Sequence, residues 1–212
     1  MLKSTAIKGV IGVLGVGAIT TGAVYANLPS SIESYLNKQG RTLLTGTEDK
    51  WEGAKSKYAS EGDDLLITIN NQKIAKDQLS NKQLKKWCET NSKKSFSNID
   101  DEIYQRVSSW CTEPKTIAQS LKGKRPLNDT EPANSQKNID ETEWEKKKAT
   151  YKTANSKELI KSIESNNSEG SEIAAGTSIT TTQLRKWCEF SKSKHFKHEK
   201  DNRYLRYLKW CV

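Results

Sequence analysis

The residues best equipped for chemistry in this 212-residue chain are four cysteines, each directly after a tryptophan: Cys88, Cys111, Cys188 and Cys211. Two histidines, His195 and His198, fall between the last two. Such a set admits a disulfide framework, a zinc site of two thiolates and two imidazoles, or a cysteine nucleophile with a histidine base. Spacing separates the three. The cysteines of each pair lie 23 positions apart, and a shift of 100 residues superimposes Leu84, Lys86, Trp87, Cys88, Glu89, Phe96, Asp101, Tyr104, Arg106, Trp110 and Cys111 on identical residues. Where the second copy has His195 and His198, the first has Ser95 and Asn98 beside the same cysteines. The cysteines therefore do not need the imidazoles, and neither a metal nor a histidine-activated thiol is expected. The body has no phosphate-binding glycine loop, no Gly-x-Ser-x-Gly and no His-Glu-x-x-His. No catalytic residue and no cofactor is expected, and the function class is non-enzymatic.

For an exported chain the default for such pairs is a disulfide, Cys88 with Cys111 and Cys188 with Cys211, the alternative being four free buried thiols. Closing about 24 residues stabilises a small domain by roughly 3 kcal/mol on the chain-entropy model. Bonded cysteines need Cα atoms about 5.5 Å apart. In a tight antiparallel hairpin, the two positions would lie about 15 Å apart. The spacing predicts crossed or near-parallel helices whose C-terminal ends converge.

The elements that must position the cysteines carry their own signals. Ser80 to Gln83 and Thr180 to Gln183 both fit a capping box, with Leu79 and Ile179 before the cap and Leu84 and Leu184 at the fourth helical position as a hydrophobic staple. Leu84, Trp87 and Cys88 then share one helical face. A second helix is expected over about 100–111, aligning Tyr104, Val107 and Cys111, with Tyr204, Tyr207, Leu208 and Cys211 as its counterpart. Another is expected to begin near Thr142, with Thr142 and Glu145 as a capping box, carrying Trp144 and Tyr151 on one face. Residues 65–69 and 159–163 fit helix or strand equally well.

Upstream the copies still match at shorter offsets: Trp51 and Tyr58 with Trp144 and Tyr151, Leu65-Leu66 with Leu159-Ile160, Ile32 and Leu36 with Ile117 and Leu121, and Gly40-Arg41 with Lys124-Arg125. Offsets that grow along the chain place the added length of the second copy in its surface connections. The expected organisation is an N-terminal segment over 1–26, a first repeat over 31–113 and a second over 116–212. The loosest stretch is expected at about 122–141, where Gly, Pro, Asn, Asp and Ser crowd together. The fold class is mainly α: a membrane segment followed by two tandem copies of a small helical domain.

Residues 9–26 form an uncharged run rich in Val, Ile, Gly and Ala, preceded by Lys3 and Lys8. Eighteen apolar residues are at the lower limit of a membrane span. Val24-Tyr25-Ala26 also fits a signal-peptidase site, so an uncleaved anchor and a chain secreted by cleavage after Ala26 both stand. A buried helix in water is disfavoured by the five glycines. With the lysines inside, the body is expected outside the cell membrane.

The net charge of +9 is uneven. Residues 27–114 carry 13 basic and 13 acidic groups, whereas 115–212 carry 20 and 13. The excess concentrates in Arg185, Lys186, Lys192, Lys194, Lys197, Lys200, Arg203, Arg206 and Lys209. These nine are the candidate surface for polyanions such as sialylated or sulfated glycans or anionic lipid, with a solvated lysine-rich face as the plain alternative. Lys-Trp-Cys recurs, and basic groups beside aromatics can signal nucleic acid. A Trp next to a core Cys is more simply core with the lysine stem snorkelling outward, so nucleic acid is not the expected partner.

The apolar N-terminus, Trp-x6-Tyr, Leu84-Lys85-Lys86-Trp87-Cys88, the Tyr-bearing helix ending in Trp-Cys, and Pro114-Lys115-Thr116-Ile117-Ala118-Gln119-Ser120-Leu121 together resemble the large families of uncharacterised paralogous proteins of haemotropic mycoplasmas. Lysine at 29 against arginine at 6 agrees with an AT-rich genome. The resemblance implies a variable surface protein of a wall-less, blood-cell-attached bacterium, facing host cells and antibodies, with no functional residue to carry over. The expected function is host contact or antigenic variation by a non-enzymatic surface protein, with host-cell glycans or proteins as partners. The alternative is a polyanion-binding module built on the basic C-terminal stretch, and a more remote one is an enzyme without a recognisable motif.

Overall fold

The computed structural model describes residues 29–62, 64–132, 136–176 and 179–212. The expected membrane segment lies outside them. Among the described residues no helix is long and apolar enough to cross a membrane.

The chain is mainly helical. In the first half α1 (Ile32–Lys38) and α2 (Glu48–Glu61) precede a short antiparallel hairpin of β1 (Thr68–Ile69) and β2 (Gln72–Lys73), then α3 (Asn81–Asn91) and α4 (Glu102–Trp110). In the second half a 3₁₀ turn at Ala118–Ser120 stands where α1 does. It is followed by α5 (Glu141–Tyr151), the hairpin β3 (Lys161–Ile163) and β4 (Glu169–Glu172), α6 (Thr181–Lys192) and α7 (Asn202–Trp210). Both ambiguous segments thus resolve into extended chain and hairpin.

Two apolar clusters form, one from Ile32 to Cys111 and one from Ile117 to Cys211. Tyrosine and tryptophan organise both. Tyr58 Oη accepts from Ile67 N at 3.1 Å and donates to Ile74 O at 2.6 Å; Tyr151 Oη does the same with Ile160 and Ile173 at 2.9 and 2.7 Å. Each phenol so bridges the two arms of a hairpin too short to hold itself. Trp110 Nε1 donates to Leu65 O and Trp210 Nε1 to Glu158 O. The tryptophans beside Cys111 and Cys211 therefore anchor backbone that has no ladder partner, while their rings fill the core.

These bonds fix the correspondence of the halves more finely than identities do. Gly40 (φ +68°) and Gly123 (φ +82°) take the same left-handed turn. Leu44 N and Leu127 N donate, both at 2.8 Å, to Cys111 O and Cys211 O. Gly40 hence corresponds to Gly123, Arg41 to Lys124, and Leu65 to Glu158, each one residue off the alignment by residue type. The second half gains most of its extra length in two places. One is the connection between Leu127 and α5, and the other is the hairpin turn.

Both capping boxes form, at Ser80 with Gln83 and Thr180 with Gln183. The box expected at Thr142 does not. Helix α5 begins two residues earlier than that box would place it, with Asp140 as N-cap. Its carboxylate instead accepts from Asn128 N at 2.7 Å and pairs with Arg125. That tie, the Asn138 side chain donating to Asn128 O and Thr130 O, and Trp144 Nε1 donating to Asn128 O at 2.9 Å pin the described part of 122–141 to the core.

The disulfides are Cys88–Cys111 and Cys188–Cys211, with Cα atoms 5.5 and 5.7 Å apart, and no cysteine is free. Each joins a position one turn from the end of α3 or α6 to the residue capping α4 or α7, so the C-terminal ends of each helix pair converge.

Candidate functional site

Residues 194–200, between the second pair of cysteines, are one segment through which the halves touch; Lys115 Nζ also donates to Gly40 O at 2.5 Å and Lys122 Nζ to the Gln39 side chain. Arg41, 3% exposed on the first half, organises the contact. Its guanidinium donates to Ser108 O and Thr112 Oγ1, both at 2.6 Å, within its own half, and to Lys197 O at 2.8 Å across the junction. It also lies over the Phe196 ring, 4.9 Å from the centroid. Ser108 Oγ donates to the same Lys197 carbonyl at 2.7 Å. Tyr104 Oη donates to the Glu199 carboxylate; burial first, and that carboxylate next, push the phenol's pKa well up, so it stays a donor. The Lys197 ammonium reaches Glu61 O at 2.8 Å and stands over the Trp110 ring. A planar fork with five donors suits three carbonyl and hydroxyl acceptors around a ring face; a lysine at 41 would not.

His195 sits in this junction, 7% exposed, with its ring centroid 6.2 Å from that of Trp110. Neither ring nitrogen has a hydrogen-bond partner, and Glu61 Oε2 at 3.8 Å from Nδ1 is too far to be one. Burial, then Lys57, Arg41 and Lys197, lowers its pKa to about 3, so the ring is neutral. Burial lowers His198 as well, opposed by Asp201 and Glu199. Cys188 and Cys211 are bonded to each other and cannot serve as thiolate ligands. Among the described residues no group of three or more His, Cys, Asp or Glu is placed to hold a metal ion. The histidines that distinguish the second copy in sequence are thus in a segment that meets the first.

The nine candidate cations do not form one face. Arg185 is buried between Glu131 and Glu141, both at 3.1 Å. Lys192 pairs with Asp129 at 2.8 Å, Lys200 with Asp100 at 3.1 Å across the junction, and Lys209 with Glu158. Lys194 lies over the Phe190 ring. Lys186 lines a separate surface hollow beside Glu164 and Glu189. Only Lys197, Arg203 and Arg206 come together, with Lys161, around a polar cleft of about 230 Å³ between the halves. Even there Arg203 pairs with Glu169 at 2.9 Å, Arg206 donates to Lys157 O, and Asp64 and Asp201 share the wall.

Sequence reasoning missed Arg41 and Lys161. The signal for Arg41 was available: the chain has six arginines among 35 basic residues, and Arg41 is one of only two in the first copy. No family model, no curated protein and no solved structure matches this chain.

Proposed function

We propose that the chain is a non-enzymatic surface protein of the paralogous kind that its sequence resembles. In this reading it is exported or anchored through residues 9–26, with two tandem copies of one disulfide-stapled helical domain outside the cell. The observation that carries the reading is that all four cysteines are paired within their own half at identical spacing. Such bonds persist in an oxidising compartment and are rare in a reducing one. Two copies that share a scaffold but differ in charge and loop length fit a surface whose contact face varies while its core is kept. Host contact or antigenic variation is the role this arrangement serves. Protease treatment of intact cells tests the location: peptides from 29–212 should be released, and complete protection of the body contradicts it. Binding of the labelled body to erythrocytes, with and without enzymatic removal of sialic acid, tests host contact.

The polyanion reading keeps one specific support, the convergence of Lys161, Lys197, Arg203 and Arg206 on one cleft. Three carboxylates in the same wall leave it little net charge, which makes this the weaker reading. Retention on heparin that drops steeply between about 50 and 200 mM salt, and is lost in Arg203→Glu with Arg206→Glu, would favour it. Salt-indifferent retention would contradict it.

A further inference from the structure

We propose that the groove beside the Cys88–Cys111 bond is a docking site for an acidic, extended peptide segment of a partner protein. The segment would be held as the second half holds its own residues 127–131. The inference rests on the correspondence of the halves and not on where the protein resides.

In both halves the chain enters the comparable place from the same point, the leucine whose amide donates to the carbonyl of the second cysteine. From Leu44 the first half takes two residues to reach Thr47, the N-cap of α2; from Leu127 the second takes twelve to reach Asp140, the N-cap of α5. The longer excursion is not idle. Asn128 O accepts from Trp144 Nε1, Asp129 pairs with Lys192, and Glu131 pairs with Arg185. A backbone carbonyl and two carboxylates therefore cover the indole and the cationic side of α6.

The first half has the receptor without the occupant. Trp51, the counterpart of Trp144, is 3% exposed, and its Nε1 has no hydrogen-bond partner. A buried donor left unpaired is costly, and few native ones persist without a reason. Trp51 lines a groove of about 360 Å³ with Leu44, Cys88 and Cys111 as its apolar wall. Lys85, in the place of Arg185, and Lys93, next to the place of Lys192, stand at its side and make no ion pair among the described residues. Glu33 and Glu89 also line it, so the groove is neutral overall, and the acidic character of the occupant follows from the individual pairs of the second half, not from net charge. Glu189 occupies the position of Glu89 in the second half, where two carboxylates dock regardless. A peptide with a carbonyl for Trp51 and two following carboxylates, spaced like Asp129 and Glu131, for Lys93 and Lys85 satisfies all three groups. A second copy of the chain is a poorer occupant, since its own 128–131 segment is already engaged by Trp144, Lys192 and Arg185.

The test uses the oxidised full chain with ¹⁵N-labelled tryptophan and the synthetic peptide Pro-Leu-Asn-Asp-Thr-Glu-Pro, the sequence of residues 126–132. Of the six indole signals, the one abolished by Trp51→Phe should move saturably on titration, and that of Trp144 should not. Binding should weaken at least about fivefold when the peptide's Asp and Glu become Asn and Gln, and likewise in Lys85→Glu, whose other indole signals stay in place. No saturable shift of Trp51 into the millimolar range, equal binding of the neutral peptide, or a Trp51 signal that moves with protein concentration alone would each overturn the proposal. The last result would identify a second copy as the occupant. None of these outcomes bears on surface exposure, which proteolysis of intact cells reads separately.

Discussion

Arg41 and Lys124 follow the same left-handed glycine at the same place in the two halves, yet one is buried and the other exposed. The first half uses this position to receive the other half, with the guanidinium reaching Lys197 O and the Phe196 ring. The opposite asymmetry holds at the tryptophan that α2 and α5 each carry. The second half closes over Trp144 with its own chain, whereas Trp51 is left with an unpaired indole beside an open groove. The first half thus carries both the dock for the second and an open groove, and the second half covers the corresponding place with its own chain. Each half is closed by a disulfide at the same 23-residue spacing.

The largest effect expected from separating the halves is loss of a staple. Cys88→Ala or Cys188→Ala should each cost about 2–5 kcal/mol in urea unfolding. The two should differ in reach. The Cys188–Cys211 bond closes the loop that contains 194–200, so Cys188→Ala should raise hydrogen exchange on that side of the junction, whereas Cys88→Ala should raise it on α4, which carries Tyr104 and Ser108. Next comes Arg41→Ala, which removes the bonds of a buried guanidinium to Ser108 O, Thr112 Oγ1 and Lys197 O and should cost about 3 kcal/mol. Lys124→Ala, at the corresponding exposed position, should stay within about 0.5 kcal/mol. Equal costs at 41 and 124 would remove the junction from the account.

A smaller effect separates His195 from Ser95. The folded pKa of His195 is lowered to about 3, so the ring is neutral in the fold and protonates in the unfolded chain below its ordinary value of about 6.5. Its contribution to stability is complete above that value and is lost as the pH falls towards 3. Between pH 7 and pH 5 the loss should be about 2 kcal/mol, and His195→Ser should flatten that part of the profile. Among the charged groups around the ring, Lys57, Arg41 and Lys197 act in this direction and Glu61 against it. Smallest is the indole contrast. Trp144→Phe loses the bond to Asn128 O and should cost about 1 kcal/mol more than Trp51→Phe, which loses none.

What could be read from sequence was what local chemistry determines. Ser80 with Gln83 and Thr180 with Gln183 define helix starts within four residues, and the 23-residue cysteine spacing recurs in a setting where a bond is the default. The box at Thr142 failed because Asp140 engages Asn128 and Arg125, partners more than ten residues upstream that no local window weighs. Helix α1, seven residues long, is too short for a periodic pattern. The one-residue slips at Gly40 and Leu65 arose because alignment by residue type cannot see which amide meets which carbonyl. The basic stretch looked like one surface for a related reason. Its charges are visible in sequence, but their partners Glu131, Asp129, Asp100 and Glu169 arrive from distant elements.

Peptide mapping under non-reducing conditions, on protein isolated from cells with its thiols blocked at lysis, tests the central claim most directly. The account predicts two links and only two, Cys88 to Cys111 and Cys188 to Cys211, with no blocked thiol recovered. Four free thiols would contradict an oxidising, extracellular location, and a bond between the halves would contradict two separately stapled copies.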